Sequence, residues 1–161
     1  NGGLMSTVAC PTCHNDYTAR KDGQPRKHPC VPADNPGNVA LPWCTPPLTQ
    51  NQLRRMHPLA EASAKKAALK DARWAIRAAR LTPMLGANVV LHWRMPDRRR
   101  RDGDGAAPTL KVVLDALVAE GVIPDDSFVH VPFSGIRCHP PRPGIPGGMW
   151  LEITDPDQEA I

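Results

Sequence analysis

No apolar run in this sequence approaches the ~18 residues of a membrane-spanning helix, so no segment is expected to cross a bilayer. Nor do the first residues show a basic stretch followed by an apolar one, the pattern of an export signal. An even set of cysteines is missing too. The five present cannot all pair within one chain, and without an export signal they read as reduced thiols in a cytoplasmic setting. Strong net charge of either sign is also absent. A formal charge of +4 and a pI near 9.0 form a modest basic bias, which suits a polyanionic partner without demanding one.

What is present is proline, unevenly placed. Of 19 prolines, eight lie in residues 1–50 and five in residues 132–146, which marks both regions as irregular. The 161 residues fit one ordinary domain with a small appendage. Residues 59–131 must then supply most of the core. The stretch NVALPWC predicts a short strand near Val39 to Trp43. The alanine-rich run from Leu59 to Arg80 predicts a helix, with Leu69, Ala72, Ile76 and Ala79 on an apolar stripe and Thr82-Pro83 as its stop. Residues 87–95 predict a strand rich in β-branched and aromatic side chains. Leu110, Val113, Leu114, Leu117 and Val118 then follow helical spacing, with Pro108 at the start and Gly121 as the cap. Residues 127–133 and 149–154 predict two further strands, separated by a Pro/Gly-rich loop. This order implies an α/β or α+β domain with a mixed sheet and two main helices.

Three constellations carry candidate chemistry. In MPDRRRRDGDG, residues 95–105, four consecutive arginines abut Asp102 and Asp104, a local charge conflict of the kind that function rather than stability selects. If 102–104 are extended, the two carboxylates share a face, and Asp125-Asp126 returns just past the second helix. Carboxylates converging on one point require a cation, and magnesium suits an oxygen-only site. Solvated acids beside turns are the plainer reading of a DxD pair alone. The second constellation is cationic: Arg98, Arg99, Arg100, Arg101 and Lys111, with a helical stripe of Lys66, Lys70, Arg73, Arg77 and Arg80. Lysine and arginine contacts to phosphate supply most nonspecific nucleic-acid affinity, although a basic helix face is often merely solvated. The third is Cys10-x2-Cys13 followed by an Asp22-Gly23 turn and His28-x-Cys30, which reads as a small zinc-ribbon-like hairpin holding structural zinc. His14 or Cys44 could replace one ligand, and Cys138, standing alone, reads as a packed thiol. These segments suggest a zinc-binding extension over 1–34 and a catalytic domain over 35–161.

HWRMPDRRRRDGDG followed by LKVVLDALVAEGVIPDDSFVHV, with LPWCTPPLTQNQLRR before it and MWLEIT after it, resembles the RusA family of Holliday junction resolvases over about residues 39–154. The resemblance implies a homodimeric endodeoxyribonuclease, dependent on Mg²⁺ or Mn²⁺, that resolves four-way DNA junctions by paired symmetric nicks in recombination, repair or phage DNA processing. By that resemblance Asp102, Asp104 and Asp126 are the metal-binding aspartates and Lys111 is the catalytic lysine. Two departures stand out: Gly105 replaces the family's usual Asn, and the segment Gly105 to Thr109 is about three residues longer. The CPxC module lies outside the family core and is similar to zinc-binding additions of phage relatives, which implies a phage or prophage gene in a bacterial host. Two alternatives stay open: a less selective branched-DNA debranching nuclease, and a zinc-dependent DNA-binding protein whose nuclease site has decayed.

Overall fold

Residues 88–94 place Val89, Leu91 and Trp93 on one phase of a strand and Asn88, His92 and Arg94 on the other, and both phases are buried. A strand buried on two faces belongs in the middle of a sheet. The computed structural model describes residues 7–9, 16–18 and 38–156, and it has an α+β architecture. The elements run β1 (Thr7–Ala9), β2 (Asp16–Thr18), β3 (Asn38–Leu41), α1 (Gln50–Leu53), α2 (Pro58–Ala79), β4 (Asn88–Arg94), α3 (Ala107–Ala119), β5 (Ser134–His139) and β6 (Gly148–Thr154). A 3-10 turn, Gly103–Ala106, leads into α3.

β1 and β2 pair with each other, antiparallel, across residues 10–15. The other four strands form one sheet in the order β3-β6-β4-β5. β6 is antiparallel to both β3 and β4, and β5 is parallel to β4. Strands β3, β4 and β5 therefore run one way, and their C-terminal ends share one end of the sheet.

One sheet face carries Val39, Leu41, Val89, Leu91, Trp93, Met149, Leu151 and Ile153 into the main core. The helices cover that face: α2 packs on α3 and β3, and α3 on β5. From α3 come Val113 and Leu117, both fully buried, and truncating Leu117 to alanine should cost roughly 2–5 kcal/mol. α2 begins at Pro58, with the His57 ring accepting from the Leu59 N–H at 3.3 Å, and ends at Arg80 in the left-handed region (φ 51°) before Thr82-Pro83. Its buried residues are Ala68, Ala72, Ala75 and Ile76. The expected apolar stripe is thus rotated: Leu69 is only partly buried and Ala79 is exposed. Gly121 (φ 71°) follows α3 in the left-handed conformation that favours glycine at a helix end.

The strand expected over 127–133 is not formed. The Ser127 carbonyl accepts from His130 N–H (3.0 Å) and Val131 N–H (2.8 Å), which coils the segment into a turn. Pro132 has no N–H to offer a ladder. Phe128, Val129 and Phe133 point outward. The strand lies instead at Ser134–His139, inside the stretch expected to be loop, where pairing with β4 overrides the weak strand propensity of SGIRCH. No helix among the described residues is long and apolar enough to cross a membrane.

Candidate active site

The segment after β3 and the segment after β4 leave the same end of the sheet and face one another across a cleft of about 370 Å³. In open sheets with parallel strands, ligands bind outside the carboxyl ends of the strands, where these connections are. From the first segment come Thr45, Thr49, Asn51 and Gln52; from the second come Arg100, Arg101, Asp102 and Gly105, with Trp93 at the end of β4 itself.

Local chemistry fixes both walls. Thr49 and Gln52 form a capping box: the Thr49 hydroxyl accepts from the Gln52 N–H at 3.3 Å, and the Gln52 amide oxygen accepts from the Thr49 N–H at 2.9 Å. Leu48 is fully buried, and the buried Thr109 hydroxyl of α3 donates to its carbonyl (2.7 Å) and accepts from its N–H (3.2 Å). That staple ties the first wall to α3. On the second wall, Asp97 accepts from both Arg101 guanidinium nitrogens (2.6 and 3.0 Å) and from the Arg99 N–H (2.9 Å). The Arg101 hydrogen bonds, helped by Arg99, lower the Asp97 pKa to about 2. Gly103 sits close to Cys138: a Cβ there would lie 2.6 Å from the sulfur, so any other residue would require the Cys138 thiol to shift. Cys138 itself is exposed at the sheet edge rather than packed inside.

One polar atom in this region has no partner among the described residues. The indole Nε1 of Trp93, a residue only 4% exposed, is buried without a hydrogen bond. An unsatisfied buried N–H costs about 1–3 kcal/mol, a cost the fold bears next to this cleft.

The expected acidic residues fall into two groups. Asp102 lines the cleft in an extended conformation (φ −89°, ψ 120°), and Asp104 is exposed inside the 3-10 turn. Residues 102–104 are therefore not a strand, because the chain tightens as the Gly105 N–H donates to the Asp102 carbonyl at 3.2 Å. Their carboxylates have no hydrogen bond or ion pair among the described residues. Asp126 lies past α3 and accepts from Lys111, which also pairs with Asp115 at 2.9 Å. These two carboxylates raise the Lys111 pKa, and the lysine hydrogen bond holds Asp126 below the usual carboxylate range. Among the described residues no three His, Cys, Asp or Glu side chains stand as a group that could hold a metal. By chemistry Asp102, Asp104 and Asp126 suit a hard cation; by position Asp126 is matched to Lys111 instead.

Of the basic residues, Arg98, Arg99 and Arg100 are exposed, as are Lys66 and Lys70. Arg73 and Arg77 are not a free stripe: both pair with Glu120 at the end of α3, at 2.7 and 2.9 Å. Cys10, Cys13, His28 and Cys30, the expected zinc ligands, lie outside the described residues, as does Asp22-Gly23.

A polar cluster that sequence reasoning missed occupies the second face of the sheet. His92 Nδ1 and His139 Nε2 lie 2.7 Å apart, and His92 Nε2 lies 2.7 Å from Glu152 Oε2. The rings of His92, His139 and Trp150 stack at centroid distances of 4.9–5.0 Å, and Arg94 stands 5.4 Å over Trp150. Burial lowers the pKa of both histidines, outweighing the Glu152 hydrogen bond that raises that of His92. The signal was in NVVLHWR: its polar residues occupy one phase of a strand whose other phase is apolar.

No family model matches the chain, and no curated protein matches it either.

Proposed function

We propose that the chain is a structure-specific DNA endonuclease that resolves four-way junctions by paired symmetric nicks, working as a homodimer. The observation that supports it is the cleft at the sheet's carboxyl end. There Arg100, Arg101 and Asp102 line one wall, amide side chains line the other, and the Trp93 N–H lacks an acceptor among the described residues. A phosphodiester supplies anionic oxygens for Arg100, which has no ion pair among the described residues, and further negative charge beside Arg101, which Asp97 already holds. Arg98 to Arg100 extend the cationic surface along the backbone of a junction arm. Lys111 offers a positive charge that remains in place throughout the neutral range, suited to the charge that develops on a phosphate under attack.

Magnesium held by Asp102, Asp104 and Asp126 would supply an activated water and a counter-charge for the departing oxygen. Holding it requires Asp126 to exchange Lys111 for the ion. Two-fold symmetry gives a dimer its purpose, since equivalent sites on two subunits reach opposed strands. A second reading, a DNA-binding protein whose nuclease site has decayed, is favoured by the Lys111–Asp126 pairing and by Gly105, around which a Cβ meets only open space.

A nicking assay on a labelled four-way junction, with and without Mg²⁺, decides between them. Metal-dependent symmetric nicks confined to junctions are expected. Cleavage of many branched forms identifies a debranching nuclease, and binding without any cleavage identifies the decayed protein.

A further inference from the structure

Three of the four tryptophans are buried: Trp43 at 8% exposure, Trp93 at 4% and Trp150 at 7%. Trp74 is 67% exposed, in the C-terminal third of the 22-residue helix α2. A groove of about 490 Å³ opens beside it, lined by Lys66, Leu69, Lys70, Arg73, Trp74 and Arg77. An exposed indole within a ring of cations is neither a packing residue nor a solubilising one. Lys66, Lys70 and Trp74 follow at i, i+4 and i+8, so they stand in one line at steps of about 6 Å along the helix. Neither lysine has an ion pair among the described residues, whereas Arg73 and Arg77 share Glu120.

We propose that this groove docks a single-stranded DNA segment, with one unpaired base stacked on Trp74 and the preceding or following phosphates held by Lys66 and Lys70. The proposal rests on the DNA-processing reading for its substrate class. Charge complementarity selects the polyanion, and the indole selects its form. Duplex DNA hides its base faces within the stack, while an unpaired segment presents a π-face that any aromatic platform accepts regardless of sequence. Arg73 and Arg77, with Leu69 beneath them, close the side of the groove toward α3 and add cationic edges to the stacked base. Branched DNA that breathes at its crossover offers such unpaired bases, so the groove would favour branched over linear duplex substrates.

All four tryptophans emit, but only Trp74 is exposed, so quenching by direct contact with a docked strand should fall chiefly on its emission. Titration with an oligothymidylate is expected to quench it, and a blunt duplex of equal length is expected to leave it nearly unchanged. Trp74→Ala should abolish the quenching and weaken oligothymidylate binding about tenfold by anisotropy, with duplex affinity within about twofold, in line with the 1–3 kcal/mol of one stacked base. Trp74→Phe should retain most of the affinity. Lys66→Ala with Lys70→Ala should reduce the slope of log affinity against log salt by about 1.4 for the single strand. The proposal is overturned if oligothymidylate leaves the fluorescence unchanged, if Trp74→Ala binds it like the wild type, or if single-strand and duplex affinities fall together. None of these readouts involves cleavage, so a protein that binds single strands without nicking junctions would sink the nuclease reading and leave this one standing.

Discussion

Two regions of this molecule set arginine against carboxylate, and they resolve the conflict differently. On the helices, Glu120 of α3 takes both Arg73 and Arg77 of α2. One carboxylate is shared by two guanidiniums across two elements, leaving one net positive charge, and the result clips one helix to the other. In the loop after β4, Asp97 takes Arg101 alone. Arg98, Arg99 and Arg100 on one side, and Asp102 and Asp104 on the other, are left without an ion pair among the described residues. Opposite charges this close in sequence could have paired and did not, although Arg100 and Asp102 line the same cleft. Paired charge is thus structural in these two regions, and the unpaired remainder is where chemistry has room.

The largest effect that tests this contrast is at Asp104. Asp104→Asn removes an exposed carboxylate with no partner among the described residues, so folding and junction binding should be unchanged. On the nuclease reading, nicking should fall by more than about a hundredfold, because a metal ion would lose a charged ligand. Near-wild-type nicking by the purified variant would move the chemistry elsewhere. Lys111→Ala ranks next. It should lower the single-turnover rate at saturating protein by about ten- to a hundredfold and change affinity by less than about twofold. If affinity falls while the saturated rate holds, Lys111 is a phosphate anchor and the catalytic role is wrong.

Much of this frame was legible in the sequence. The period of Val113, Leu114 and Leu117, with Pro108 before and Gly121 after, defined α3 to within a turn. The phases of NVVLHWR and MWLEIT defined the central strands. What was not legible depended on partners distant in the chain. Ser134–His139 has a glycine, an arginine and a histidine among its residues and becomes a strand only because β4 offers its edge. Phe128, Val129 and Phe133 mimic a strand pattern but find no core to enter. In the candidate site, Asp102 and the arginine run were recognisable from type and spacing. The pairing of Lys111 with Asp126, the grip of Glu120 on α2 and the orphaned Trp93 N–H are consequences of packing that no spacing rule contains.

The helical pairing makes a smaller, opposite prediction about binding. Glu120→Gln should release two guanidiniums toward DNA, strengthen duplex binding about two- to fivefold and steepen the salt slope by up to about one unit. Arg73→Ala with Arg77→Ala should weaken binding and reduce that slope by about one to two units. Because the same carboxylate joins α2 to α3, Glu120→Gln should also lower the thermal midpoint slightly. A variant that is less stable yet binds DNA no better would show that Arg73 and Arg77 are structural only. Fluorescence anisotropy across a salt series, paired with a thermal melt, reads both quantities.

The smallest effect belongs to the loop's own pair. Asp97 has its pKa lowered to about 2, chiefly by the Arg101 hydrogen bonds and the Arg99 N–H. A carboxylate with a depressed folded pKa contributes order above its unfolded value, near 3.9, and loses it as the pH falls toward 2. The Asp97–Arg101 pair should therefore be fully formed throughout the neutral range, and its carboxyl resonance should titrate only below about pH 3. Asp97→Asn should abolish that acid transition while leaving the global melting temperature almost unchanged, since an exposed pair contributes little to stability. Its effect should appear in junction binding instead, because Arg101 loses the partner that holds its guanidinium beside the cleft. If Asp97→Asn leaves both binding and nicking intact, the local pair does not shape the site, and the exposed arginines act without it.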